Sequence, residues 1–109
     1  MRYETVFILT PVLSDSQVEE AAKKHLDYIK ESGAKIISQE NWGLKKLAYP
    51  IVGKQNGFYF LVEFESTGDL IQKLELEFKR DERVLRYLTV KLDKHGIDWA
   101  EKRRVKIKQ

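Results

Sequence analysis

From Phe58 to Glu65 the chain alternates without a break: Phe58, Phe60, Val62 and Phe64 fall on one parity, Tyr59, Leu61, Glu63 and Glu65 on the other. A period of two marks a strand whose side chains point to opposite faces of a sheet. The phenylalanine-rich face must be covered, and within 109 residues the cover has to come from helices of the same chain.

Two segments supply such helices. Ser14 is followed three residues later by Gln17, which predicts a capping box, with Leu13 and Val18 placed as a hydrophobic staple. Val18, Ala21, Ala22, Leu26 and Ile29 then recur at helical spacing, and Gly33 is the expected left-handed terminator. His25 is read as a helix-flank residue. The second helix is expected to open at Ser66 as N-cap, with Asp69 near its positive end and Leu70, Leu74 and Phe78, helped by Ile71, as its buried stripe. Leu76 points away from that stripe.

Strands fill the remainder. Residues 3–10 are β-branched and aromatic and end at Pro11. A second strand runs from about Lys35 to about Val52 with a bulge at Gly43, and residues 53–57 read as a hairpin loop. A fourth strand from about Val84 to Leu92 would bury Leu88, Val90 and Leu92. The order βαββαβ predicts an α+β, ferredoxin-like sandwich: a four-stranded antiparallel sheet with two helices on one face. Residues 1–93 form the domain and residues 94–109 a basic C-terminal tail.

Helices on one face leave the other to be explained. Alternation sends Glu4, Val6 and Ile8 outward, with Tyr59 and Leu61 from the third strand and Tyr87 and Thr89 from the fourth. A patch of Val6, Ile8, Tyr59, Leu61 and Tyr87 is too apolar for a solvated face and is assigned to a protein partner. The alternative is that the tail folds back over it through Ile97 and Trp99.

Charge divides the chain unevenly. Residues 1–93 hold 14 Lys and Arg against 15 Asp and Glu, whereas residues 94–109 hold six against two, so the net +3 resides in the tail. Such an arm suits an anionic partner. Within the body, Lys45, Lys46 and Lys54 lie in an acid-free stretch, and Arg80, Arg83 and Arg86 crowd a second basic region, diluted only by Asp81 and Glu82. With Arg2, and with Arg103 and Arg104 of the tail, these are the candidate phosphate contacts.

The chemistry of catalysis is missing. There is no cysteine, no phosphate loop, no serine elbow, and the two histidines, His25 and His95, have no ligand-spaced companion, so neither metal nor cofactor is expected. No apolar run approaches a membrane span and no small-molecule substrate is implied; the absence of cysteine suits the cytoplasm.

Gly43-Leu44-Lys45-Lys46-Leu47-Ala48-Tyr49-Pro50-Ile51, the opening Met1-Arg2-Tyr3-Glu4, Gly57-Phe58-Tyr59 and Arg83-Val84-Leu85-Arg86 together resemble the bacterial small-subunit ribosomal protein six family over nearly all of residues 1–93. Leu76, Arg80 and the basic tail depart from the family pattern. The resemblance implies a non-enzymatic, cytoplasmic ribonucleoprotein component of translation that binds small-subunit ribosomal RNA jointly with small-subunit ribosomal protein eighteen. Two other readings use the same fold: a stand-alone module for single-stranded RNA, and an acyl-phosphate hydrolase, for which the arginine-bearing loop after the first strand is missing.

Overall fold

The computed structural model describes residues 1–94 and 96–99. Its elements are β1 (Arg2–Leu9), α1 (Asp15–Glu31), β2 (Lys35–Ile51), β3 (Lys54–Glu65), α2 (Asp69–Arg80) and β4 (Val84–Leu92). The strands form one antiparallel sheet in the order β2-β3-β1-β4, the expected ferredoxin-like arrangement. Arg103 and Arg104 lie outside the described residues.

The helix-covered face is built as the periodicities require. Tyr3, Thr5, Phe7 and Leu9 of β1 and Phe60, Val62 and Phe64 of β3 point into it, all at 8% exposure or less. Phe7 stacks on Phe60 at 5.3 Å and meets Phe78 of α2 at 5.1 Å. Both capping-box bonds of Ser14 and Gln17 are present, and Gly33 ends α1 at φ +91°.

Four expectations change. The second helix starts at Asp69 with Gly68 as its N-cap, while the Ser66 hydroxyl donates to the Thr67 carbonyl instead of capping. The expected loop at 53–57 is mostly strand: Ile51 pairs with Lys54 across a two-residue turn. That turn is Val52–Gly53, with φ +50° and +75°, the positive angles a tight hairpin needs for its twist to match the strands. In β4, register places Tyr87 opposite Phe7 and Thr89 opposite Thr5, so both face the helices. Leu88 and Val90, expected inside, stand on the other face at 61% and 41% exposure.

The physical reason for the β4 error is a register shift. Ile8 pairs with Arg86 but Leu9 pairs with Val84, which leaves an extra residue in β4. Val84 and Tyr87 therefore both reach the core despite their odd spacing. Tyr87 stacks on Phe78 at 5.4 Å, and the Thr5 and Thr89 hydroxyls satisfy each other at 2.8 Å.

His25 is the fourth correction. It is buried at 1% exposure between Phe7 and Phe78. Its Nε2 lies 2.7 Å from Asp81 Oδ2, and Asp81 also accepts from the Arg83 backbone and guanidinium at 2.9 and 3.0 Å. Burial disfavours the Asp81 carboxylate, but the hydrogen bonds from Arg83 and His25 outweigh it and hold its pKa well below the usual carboxylate range. Against that anion Nε2 carries the proton, leaving Nδ1 as a buried nitrogen without a hydrogen-bond partner among the described residues. Burial lowers the His25 pKa from its ordinary 6.5, Asp81 opposing only in part.

Candidate protein and RNA interface

The second face of the sheet is covered by no helix among the elements described, yet much of it is not bare. Register places Val6 opposite Leu61 and Ile8 opposite Tyr59, all on this face. Ile8 is 7% exposed and Leu61 2%, and Leu47 from the distal half of β2, itself 6% exposed, lies close to Ile8. This approach depends on Gly57. A Cβ there would overlap the Ile8 Cγ2 methyl and press on the Leu9 carbonyl, with a Leu47 methyl beyond, so only glycine lets β1 and the β2 tip meet.

On this face lies a groove of about 240 Å³ whose lining includes Val6, Ile8, Leu47, Tyr49, Tyr59 and Leu88. The five residues expected to meet a partner are placed unequally with respect to it. Val6, Ile8 and Tyr59 line the groove, Tyr87 also reaches its wall although its register turns it to the helix side, and Leu61 is buried at 2% exposure. Leu47, Tyr49, Leu88 and Val90 belong to the face and were missed.

Cations flank the groove. The Arg86 guanidinium donates to the Tyr49 hydroxyl and sits 5.4 Å from the centre of its ring. Across the groove the Lys45 ammonium lies 5.5 Å over the Trp42 ring, and Trp42 in turn lies nearly parallel to Tyr59, at 13° and 6.5 Å. Trp42 reaches this position because it is the extra residue of a bulge: Asn41 pairs with Phe60 and Gly43 with Tyr59, while the Asn41 side-chain oxygen accepts from Gly43 N–H at 2.9 Å. The expected bulge at Gly43 is therefore real, with φ +75°, and it aims an aromatic ring.

The proposed phosphate contacts separate into groups. Lys45 and Lys46 are exposed on neighbouring β2 positions, opposite Gly57 and Asn56, and Lys54 opens β3 just past the turn, so one hairpin carries all three. Arg80 is exposed in the last turn of α2. Arg2 is not a free cation. It is held at 2.5 Å by Glu63 and 3.0 Å by Glu65, its side chain is 17% exposed, and the Glu63 hydrogen bond raises its pKa. Arg83 is likewise committed to Asp81. These two fix the fold, and Arg86 belongs to the groove wall.

Among the described residues no three His, Cys, Asp or Glu side chains are placed to hold a metal, and no helix is long and apolar enough to cross a membrane.

The sheet is thus ferredoxin-like, with one packed face and one apolar, cation-flanked face. The family described as Ribosomal protein S6 matches residues 2–91. The chain is 59% identical over 107 residues to the small ribosomal subunit protein bS6 of Christiangramia forsetii, covering 98% of this chain and 96% of that one. It is 60% identical over 103 residues to the bS6 protein of Bacteroides thetaiotaomicron, covering 94% and 90%. The crystal structure of 30S ribosomal protein S6 from Thermotoga maritima has the same fold, with a TM-score of 0.81 at 27% identity over 99% of this chain and 97% of that one. The fold and these relatives define a protein of the small ribosomal subunit. The chain belongs to the ribosomal protein S6 family.

Proposed function

We propose that the chain is a non-catalytic adaptor that binds small-subunit ribosomal RNA together with small-subunit ribosomal protein eighteen. The observation that carries this reading is the adjacency of two unlike surfaces on one hairpin. The tip of β2 supplies Leu47 and Tyr49 to the apolar groove, while the same hairpin presents Lys45, Lys46 and Lys54. A protein partner seated on Val6, Tyr59, Tyr49 and Leu88 would thus stand beside RNA phosphates held by those lysines. Arg80, and Arg103 and Arg104 of the tail, add to the same electrostatic field.

The stand-alone single-stranded RNA module is less well supported. It needs outward aromatic platforms for bases, yet the Tyr59 ring already carries Trp42, and its neighbours Val6 and Ile8 are aliphatic.

The test is binding of a small-subunit ribosomal RNA fragment with and without purified protein eighteen, repeated over a range of salt concentrations. Tight binding is expected only with both proteins present. Lys45→Ala with Lys46→Ala should flatten the salt dependence by a slope of about 0.7–0.9 for each lysine that meets a phosphate. Equal affinity without protein eighteen would overturn the adaptor role, and an unchanged slope would remove the lysine assignment.

A further inference from the structure

The two outer edges of the sheet are built on opposite principles. Among the described residues, β2 and β4 are the edge strands. The β2 edge is interrupted by register shifts after Ile36, Asn41 and Lys46 and carries Gly43, Lys45, Lys46 and Pro50. Bulges, lysines and proline are the devices by which a sheet edge resists further pairing.

Over its long regular part β4 carries neither bulge nor proline, and its one lysine is Lys91. From Arg86 to Leu92 it stays in unbroken register with β1, with neither glycine nor proline. Its outward side chains Leu88 and Val90 are 61% and 41% exposed. An edge both regular and apolar is the form a sheet takes when another strand is to be added. Leu88 also lines the groove, so an added strand would continue that surface and close its β4 side.

The charges say what kind of strand fits. β4 carries Arg86 on the open face and Lys91 on the other, and no acidic residue. A second copy of β4 would bring two more cations and no carboxylate, and opposite charges across paired strands are what stabilise them. We propose that the outer edge of β4, over Arg86–Leu92, takes up an extended segment of a different protein chain. Its open-face residues are apolar against Leu88 and Val90, and it carries acidic side chains near Arg86 and Lys91. A carboxylate there is a stronger acceptor for the Arg86 guanidinium than the Tyr49 phenol it now meets. The inference rests on the reading of the chain as an adaptor for another protein, and it adds the mode of capture and the chemistry of the captured segment.

The experiment is amide hydrogen exchange on the full chain, titrated with a peptide in which isoleucine alternates with glutamate and, separately, with the peptide carrying lysine for glutamate. The glutamate peptide should slow exchange in β4 by roughly tenfold or more while β2 is unchanged, the response of amides that gain strand partners. The lysine peptide should do nothing, and Leu88→Lys, at an exposed position, should abolish the effect without unfolding the chain. Protection centred on β2, equal protection by both peptides, or none in β4 overturns the proposal. Protection that grows with the concentration of the chain alone also overturns it, since the occupant is then a second copy. The adaptor reading is judged separately, by joint RNA binding with protein eighteen: if that persists in Leu88→Lys, strand addition falls and the adaptor stands, whereas its absence in the unmodified chain removes the adaptor itself.

Discussion

The two faces of the sheet are made by different means. The helix-covered face is regular: alternate residues of β1 and β3 meet the stripes of α1 and α2, and Phe7, Phe64 and Phe78 are sealed at 1% exposure or less. The opposite face is made by exceptions, namely three register shifts in β2, a tight turn, and a glycine under a close approach. One face holds the molecule together through repetition; the other acquires a shape through departures from it.

The sharpest way to break this comparison is to empty the regular face. Phe7→Ala removes a ring packed against Phe60, Phe78 and His25, and should cost about 3–5 kcal/mol in urea unfolding. A loss below about 1 kcal/mol would mean the face is far less tightly packed than its burial says.

Next comes Ile8→Glu on the irregular face. Alternation alone makes this position an outward one that tolerates charge. At 7% exposure under Leu47, it should instead lose roughly 2–4 kcal/mol, the sum of forfeited apolar burial and a poorly solvated carboxylate. Unchanged stability would show that the β2 tip lifts away and that the groove is not preformed.

Acid should weaken the covered face selectively. His25 has a folded-state pKa below its ordinary 6.5, so the unfolded chain binds this proton first as pH falls. Stability should therefore hold above about pH 7 and decline below about pH 6.5, by about 1.4 kcal/mol for each unit of difference between the two pKa values. His25→Leu should remove that decline between pH 6.5 and 5 and leave the acid loss from Asp81, which begins below its ordinary 3.8. An identical pH profile in the variant would transfer the effect to other groups. The smallest change is expected from Lys45→Ala with Lys46→Ala, whose exposed side chains should move stability by no more than about 0.5 kcal/mol, read from the thermal midpoint.

The legibility of the chain follows the same division. β1, β3 and the capping box of α1 could be read directly because each obeys a local period or motif. His25 was within reach too: it falls on the stripe of Val18, Ala21, Ala22 and Ile29, a spacing that marks it as buried. Its partner was not, since Asp81 is 56 residues away. β4 misled because its more apolar parity is the exposed one, and a single extra residue moves every side chain to the other face. Arg2 reads as a cation seeking phosphate until the register brings Glu65 directly across from it.

The strand order also bears on how the molecule comes to exist. β1 precedes both of its sheet neighbours, β3 and β4, along the chain, with α1 and β2 between it and β3. The Thr5 hydroxyl meets its partner on Thr89 only once 84 further residues have been joined. A nascent chain emerging amino end first must therefore carry Phe7 and Leu9 unpaired until β3 has been made. Contacts so distant in sequence slow folding. The sheet is completed only when β4, the last of its four strands along the chain, slots in beside β1, the first.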